Sequence, residues 1–186
     1  MRVIAGRLGG RRLQAPRGRT TRPTSDRVRE ALFSMLGDVQ GADVLDLFAG
    51  TGALGIEALS RGAAKAVFVE RDAAALRALA ANLAALELIE PTARIRRGEA
   101  RVALQTARER DETYDLFFVD PPYGEARAWA RELSVALPPL LAPQARVIVE
   151  SDRRAPLELE TVLEGALETE QQRRYGDTTI TIHRHR

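Results

Sequence analysis

From about residue 43 to residue 150 the chain alternates short apolar runs with longer segments of helical periodicity, and this alternation restricts its fold more than any other feature. The apolar runs are Asp43–Phe48, Ala66–Glu70, Ala93–Arg97, Tyr114–Asp120 and Ala145–Glu150. Between them stand Ala53–Arg61, Ala73–Leu86, Ala100–Arg108 and roughly Ala126–Leu141. In the second of these helices Leu76, Leu79, Leu83 and Leu86 share one face. Strands that alternate with helices pair in parallel, in a sheet covered on both faces. The end of the chain departs from this rule. Ala166–Tyr175 and Thr178–His185 are joined by Gly176-Asp177, a hairpin signal. The expected fold is α/β: a doubly wound, mostly parallel seven-stranded sheet with an antiparallel C-terminal edge hairpin.

Ahead of the sheet lies a different kind of segment. Val3-Ile4, Gly9-Gly10 and Leu13 predict a small β-hairpin or extended arm, and Pro16, Gly18 and Pro23 mark a loop after it. Thr24, Ser25 and Asp26 are residue types that start helices. Val28, Ala31, Leu32, Met35 and Leu36 then predict an amphipathic helix whose other face shows Arg27, Arg29 and Glu30. Gly37 or Gly41 ends it. A chain of 186 residues is one domain's worth. We expect residues 1–37 as a basic extension of the domain formed by 38–186.

Charge is unevenly spread. Residues 1–30 hold nine arginines and only two acids, Asp26 and Glu30, on a body that is mildly acidic. Arg2, Arg7, Arg11, Arg12, Arg17, Arg19, Arg22 and Arg27 are therefore candidates for contact with RNA phosphates. The competing reading is a solvated, solubilising tail. Lys65 is the sole lysine, and arginine's planar fork suits phosphate. With no cysteine, disulfides and thiol chemistry are excluded, and His183 and His185 are the only histidines, so no metal site is expected. No apolar run reaches the ~20 residues of a membrane span, and no signal-peptide stretch follows the first basic residues. A cytoplasmic protein that works without a membrane is the expectation.

The first motif with chemistry in it is Asp46-Leu47-Phe48-Ala49-Gly50-Thr51-Gly52-Ala53-Leu54-Gly55. A strand runs into a glycine-rich turn that opens a helix, so a ligand can approach the main chain closely. Glu70 ends the next strand, 20 residues after Gly50, where a carboxylate can accept hydrogen bonds from ribose hydroxyls. Both features suit a nicotinamide dinucleotide as well as S-adenosylmethionine. Asp46 tilts the choice: it can bind the cationic methionine end of S-adenosylmethionine, whereas it would repel a pyrophosphate. Its other reading is a carboxylate that caps the turn. Glu99, after the third strand, either reaches the adenine or stands exposed in a plain turn. The candidate cofactor set is Asp46, Phe48, Ala49, Gly50, Thr51, Gly52, Glu70, Arg71, Glu99 and Ala100.

Asp120-Pro121-Pro122-Tyr123 follows the apolar strand Leu116-Phe117-Phe118-Val119. Two prolines stiffen the turn and remove two backbone donors. Asp120 and the Pro121 carbonyl could both accept from one amino group, with Tyr123 stacked on the same base. Holding both N–H groups aims the nitrogen lone pair at a sulfonium methyl, so transfer needs positioning more than a strong base. An ordinary Asp-Pro turn is the alternative. These four residues are the catalytic candidates.

With these motifs the sequence resembles Rossmann-like class I methyltransferases, and within them the RsmD family of small-subunit ribosomal RNA guanine-N2 methyltransferases. The opening carries most of the likeness: Arg2-Val3-Ile4-Ala5-Gly6, Gly10-Arg11-Arg12-Leu13, and Arg22 through Phe33. Asp46–Gly55 with Glu57–Ala63, the tetrad, and Tyr175-Gly176-Asp177-Thr178 complete it. The resemblance implies methyl transfer to N2 of a guanine in 16S ribosomal RNA, within an assembled or assembling small subunit; a monomer is expected. Asp120 and Tyr123 carry over as the base-binding pair, and Gly50, Gly52 and Glu70 as cofactor contacts. The tetrad is shared more widely, so a DNA adenine-N6 or cytosine-N4 methyltransferase is the alternative enzyme. An NAD-dependent oxidoreductase and a catalytically idle RNA-binding factor are readings from other classes.

Overall fold

The computed structural model describes residues 1–15, 26–122, 124–152, 156, 157, 159, 163 and 165–186. The chain divides into two compact units, Met1–Glu99 and Ala100–Arg186. The first holds the arm, α1 (Asp26–Leu36), β1 (Asp43–Asp46), α2 (Ala53–Ser60), β2 (Lys65–Glu70), α3 (Ala73–Ala85) and β3 (Ala93–Arg97). Its strands are parallel: β1 pairs with β2 from Asp43↔Lys65 to Asp46↔Phe68, and β2 with β3 from Ala66↔Ala93 to Glu70↔Arg97. The run Ala66-Val67-Phe68-Val69 is buried throughout, as a strand covered on both faces requires. On α2, a Cβ at Gly55 would stand 2.3 Å from Phe68 Cε1, so only glycine lets this helix lie so close to β2. Asp72 caps α3 by accepting hydrogen bonds from Ala74 N (3.0 Å) and Ala75 N (2.9 Å).

The arm folds onto this unit. Arg2 and Arg12 form one antiparallel bridge, Val3 N donates to Arg11 O (2.9 Å) and Leu13 N to Met1 O (3.0 Å). Val3, Leu8 and Leu13 are buried beneath it. Pro16, Gly18, Pro23, Thr24 and Ser25 lie outside the described residues. One expectation for α1 is corrected. Arg29 does not sit on the exposed face but is fully buried, in a seam with Leu32, Phe33 and Leu36. Its guanidinium donates to the Arg2 carbonyl and to Asp26 Oδ1 (3.1 Å). Burial lowers its pKa, and the negative charges of Asp26 and Glu57 oppose that shift. The apolar periodicity located the helix, but the Arg2 carbonyl of the arm and the helix's own Asp26 hold Arg29 inward.

The second unit holds α4 (Ala100–Glu109), β4 (Tyr114–Val119), α5 (Ala126–Ala136), a 3₁₀ turn (Pro138–Leu140), β5 (Leu141–Asp152), β6 (Leu167–Tyr175) and β7 (Thr178–His185). α5 stops five residues short of the sequence expectation of Leu141, because Pro138 and Pro139 have no N–H to continue the helical ladder. Leu140 N donates instead to Leu137 O (2.8 Å). β5 begins earlier than expected. A register shift between Tyr114↔Leu141 and Leu116↔Arg146, with Gln144 at φ +63, absorbs the extra residues. β5 runs parallel to β4 and antiparallel to β7, and Gly176 at φ +64 turns the closing hairpin. The seven strands form one sheet in the order β3-β2-β1-β4-β5-β7-β6.

Candidate active site

In the first unit the candidate cofactor residues other than Ala100, which opens the second unit, gather at the C-terminal ends of β1, β2 and β3, where open α/β sheets bind ligands. The glycine turn is shaped by its own backbone. Gly50 takes φ +55 and Gly52 φ +83, and Gly52 N donates to Ala49 O (2.7 Å). A Cβ on Gly52 would lie 2.4 Å from Leu79 Cδ1, whereas one on Gly50 would meet nothing within 4 Å. The inner glycine is needed for packing, and the outer one leaves open space for a ligand. Ala49 N donates to Val69 O (2.9 Å), carrying the parallel register past the end of β1 through the half-buried Phe48.

Glu70 fastens this turn. Its Oε2 accepts from Gly50 N (2.8 Å), and its Oε1 from Arg71 N (2.8 Å) and Asp72 N (2.7 Å). A carboxylate has about four lone-pair sites, so these three hydrogen bonds leave it capacity to accept another. Arg71 Nη1 pairs with Glu99 Oε2 at 3.1 Å, both side chains about half exposed. Thus Glu99 meets an arginine that the sequence motif did not pair it with. Ala100 is the buried first residue of α4.

Asp46 is 3% exposed and its Oδ2 accepts from Gly55 N (3.2 Å), so the capping reading describes its contact with the turn. Burial pushes its carboxyl up to about 7; the Gly55 amide pulls against this, the Glu70 charge adds to it, and the Phe48 amide again opposes it. Two carboxylates beside an open glycine turn are an acceptor set for a cation that carries hydroxyl groups, and S-adenosylmethionine fits that description. Ionising Asp46 in the folded protein is unfavourable. Without ligand, its contribution to stability is full below about pH 4 and is lost as pH rises through about 7. A cationic ligand reverses the preference by pairing with the ionised form. S-adenosylmethionine affinity should therefore rise with pH, approaching tenfold per unit below about pH 7. Calorimetric titration across pH 5–7.5 measures this, and Asp46→Asn should flatten the profile; an equally steep profile in the variant would refute it.

Three residues missed in the sequence join the arm to this site. Glu57, fully buried, accepts from Ile4 N (2.7 Å), Ala5 N (3.0 Å) and Arg61 Nε (2.7 Å). Ser60 Oγ accepts from Leu8 N (3.0 Å) and donates to Ala5 O (2.5 Å). Asn82 accepts from Gln14 N (2.7 Å) and donates to Gln14 O (3.1 Å) and to Thr51 O of the glycine turn (3.0 Å). A signal was present: Glu57 interrupts an apolar helix, and Asn82 stands on the same face as Leu79 and Leu86. Of the arginines, Arg7, Arg12 and Arg27 are exposed, Arg2 is exposed and pairs with Asp26 (3.5 Å), and Arg11 donates to Ala85 O (2.9 Å) at the end of α3. Arg17, Arg19 and Arg22 lie outside the described residues.

In the second unit, β4 delivers Asp120 directly to its exposed C-terminal end. Pro121 is half-buried and Pro122 exposed. The loop closes quickly: Glu125 N donates to Pro122 O (3.2 Å), and Gly124 takes φ +82. Glu125 then anchors it to α5, its carbonyl accepting from Trp129 N (3.0 Å) and its carboxylate from Trp129 Nε1 (3.1 Å). Trp129 is buried under the Arg101 guanidinium. Asp120 thus stands at the exposed end of β4, and Glu125 is held to α5. Tyr123 lies outside the described residues.

Comparison with known proteins identifies the family. The chain is 41% identical over 187 residues to YlbH of Bacillus subtilis (strain 168), covering all of both chains. It is 43% identical over 128 residues to ribosomal RNA small subunit methyltransferase D of Escherichia coli (strain K12), covering 66% of this chain and 60% of that protein. The solved structure of the T. thermophilus 16S rRNA N2 G1207 methyltransferase (RsmC), in complex with AdoMet and guanosine, is similar with a TM-score of 0.66 at 27% identity, over 91% of this chain and 44% of that one. The family model for Conserved hypothetical protein 95 matches residues 1–184. Matched over that span, the chain belongs to this family, the RsmD family.

Proposed function

We propose that the chain transfers the methyl group of S-adenosylmethionine to the exocyclic N2 of one guanine in 16S ribosomal RNA of the small ribosomal subunit. The observation that carries this reading is Asp120-Pro121-Pro122 at the exposed end of β4, in a chain whose family match spans residues 1–184. S-adenosylmethionine supplies a methyl group on a sulfonium. Asp46 supplies negative charge for its cationic end, Glu70 the acceptor for a ribose hydroxyl, and Glu99 the acceptor for the adenine amine. Asp120 and the Pro121 carbonyl hold the two N–H groups of the guanine amine, and Tyr123 stacks on the base. Exposed Arg7, Arg12 and Arg27 meet RNA phosphates together with Arg2, Arg11, Arg17, Arg19 and Arg22. The chain acts as a monomer on the assembled or assembling subunit, in the cytoplasm where subunits are built. Among the described residues no helix is long and apolar enough to cross a membrane.

The test is transfer of labelled methyl from S-adenosylmethionine to small subunits, naked 16S RNA and duplex DNA in parallel, with the product nucleoside identified by mass spectrometry. We expect N2-methylguanosine on subunits. Label confined to adenine or cytosine of DNA would overturn the RNA assignment and leave the cofactor reading standing.

A further inference from the structure

We propose that Arg173 and Arg174, near the tip of the C-terminal hairpin, hold phosphates of the RNA that flanks the target base. This rests on the ribosomal RNA reading above and adds to it a contact surface far in sequence from the basic arm.

Strand register supplies the first argument. Val119 of β4 pairs with Val149 of β5, so Asp120, one residue further, is level with Glu150. Glu150 pairs with Ile180 of β7, and Ile180 with Arg173 of β6. Asp120 and Arg173 therefore lie in one row across four neighbouring strands, on the order of 14 Å apart at three strand spacings. Arg174 and Tyr175 follow, paired with Thr179 and Thr178, and continue past that row toward the turn. The hairpin tip thus stands at the end of the sheet to which β4 brings its catalytic candidate.

Charge supplies the second argument. At the base of the hairpin the cations are neutralised: Arg184 and Arg186 both hold Glu168, at 2.6 and 3.5 Å. At the tip they are not. Arg173 and Arg174 are exposed and, among the described residues, neither forms an ion pair; Arg173 Nη1 donates only to Gln172 O (3.1 Å). The acids at this end, Glu150, Asp152 and Asp177, have interactions of their own. Among the described residues β6 is also the edge strand, with no strand on its outer side. As consecutive residues of a strand, Arg173 and Arg174 leave opposite faces of β6, so the two guanidinium forks flank the open edge, and each can meet a phosphate of RNA that runs along it. A charged edge that merely blocks strand addition is the alternative role for these residues.

The deciding experiment compares wild type with the double variants Arg173→Ala/Arg174→Ala and Arg173→Lys/Arg174→Lys. Binding to small subunits is measured from 50 to 200 mM salt, alongside S-adenosylmethionine affinity, thermal melting and methyl transfer. Losing two phosphate contacts should make the alanine variant's salt slope shallower by about 1.4–1.8, so that wild type loses about tenfold more affinity than the variant over this range. The lysine pair should retain the wild-type slope, the alanine pair should raise KM for subunits, and cofactor affinity and melting should not move. An unchanged slope in an alanine variant whose wild type methylates subunits would overturn this inference alone. Failure of wild type to methylate any RNA would instead remove the reading beneath it.

Discussion

Asp120→Ala is expected to lower methyl transfer by on the order of 10²–10³-fold, the usual cost of deleting one preorganised polar contact to a reacting group. Affinity for S-adenosylmethionine should stay close to that of wild type. The split follows from where the residues stand. The glycine turn, Asp46 and Glu70 belong to the first compact unit, whereas Asp120 follows β4 in the second. Asp120 is exposed, so its loss should cost little stability. In the proposed mechanism what is lost is an acceptor that fixes the direction of an amine with weak intrinsic nucleophilicity. Asp120→Asn retains one oxygen but turns an amide N–H group toward the substrate's own donors, so it should rescue little. Single-turnover rates at saturating cofactor, paired with equilibrium binding, separate the two effects. A parallel collapse of binding and turnover would remove Asp120 from the reaction.

The parallel strands were legible in the sequence because a strand covered on both faces must be almost continuously apolar. Ala66-Val67-Phe68-Val69 and Leu116-Phe117-Phe118-Val119 can serve few other purposes. Ends of elements were less legible where geometry overrode composition. The start of β5 carries Pro143 and an exposed Gln144, which read as loop, yet a positive φ at Gln144 lets the strand bend and recover its pairing. Arg29 shows a different gap. Helical periodicity identifies an apolar stripe, but the Arg2 carbonyl that accepts from Arg29 lies 27 residues away and carries no side-chain signature.

The site divides in the same way. Gly50, Gly52 and Glu70 could be found because local spacing binds them: a turn that needs positive φ, and an acid one strand later that reaches back to Gly50 N. The shared contact of Arg71 with Glu99 could not, since 28 residues and a whole helix separate them. Asp46 was correctly placed at the end of its strand. How deeply it is buried, and hence that its carboxyl titrates near 7, depends on packing around α2 that no motif encodes.

Glu57→Ala should be the most destabilising single change in the arm's attachment, costing about 1–3 kcal/mol for each amide it strands. The carboxylate lies inside α2 and meets three donors at once, the amides of Ile4 and Ala5 and the Arg61 guanidinium. Without it those two part-buried amides lose their acceptor, and Arg61, stacked 4.8 Å from the Phe33 ring centroid, loses its counter-charge. Gly6 makes the attachment unforgiving: a Cβ there would lie 1.9 Å from Ser60 O, so the arm approaches α2 as closely as a backbone can. The loss should concentrate at the N-terminus. Hydrogen exchange at Ile4, Ala5 and Leu8 should accelerate more than at Val67 and Phe68 in the buried β2, and the urea midpoint should fall. Glu57→Gln, which keeps the shape and one oxygen, should fall between the two. Because the exposed arginines Arg7 and Arg12 ride on this segment, the same variant should bind RNA more weakly. Uniform acceleration across the first unit would mean that Glu57 supports the sheet as a whole. Protection of the arm at the wild-type level would mean that Leu8 and Leu13 hold it down without the carboxylate.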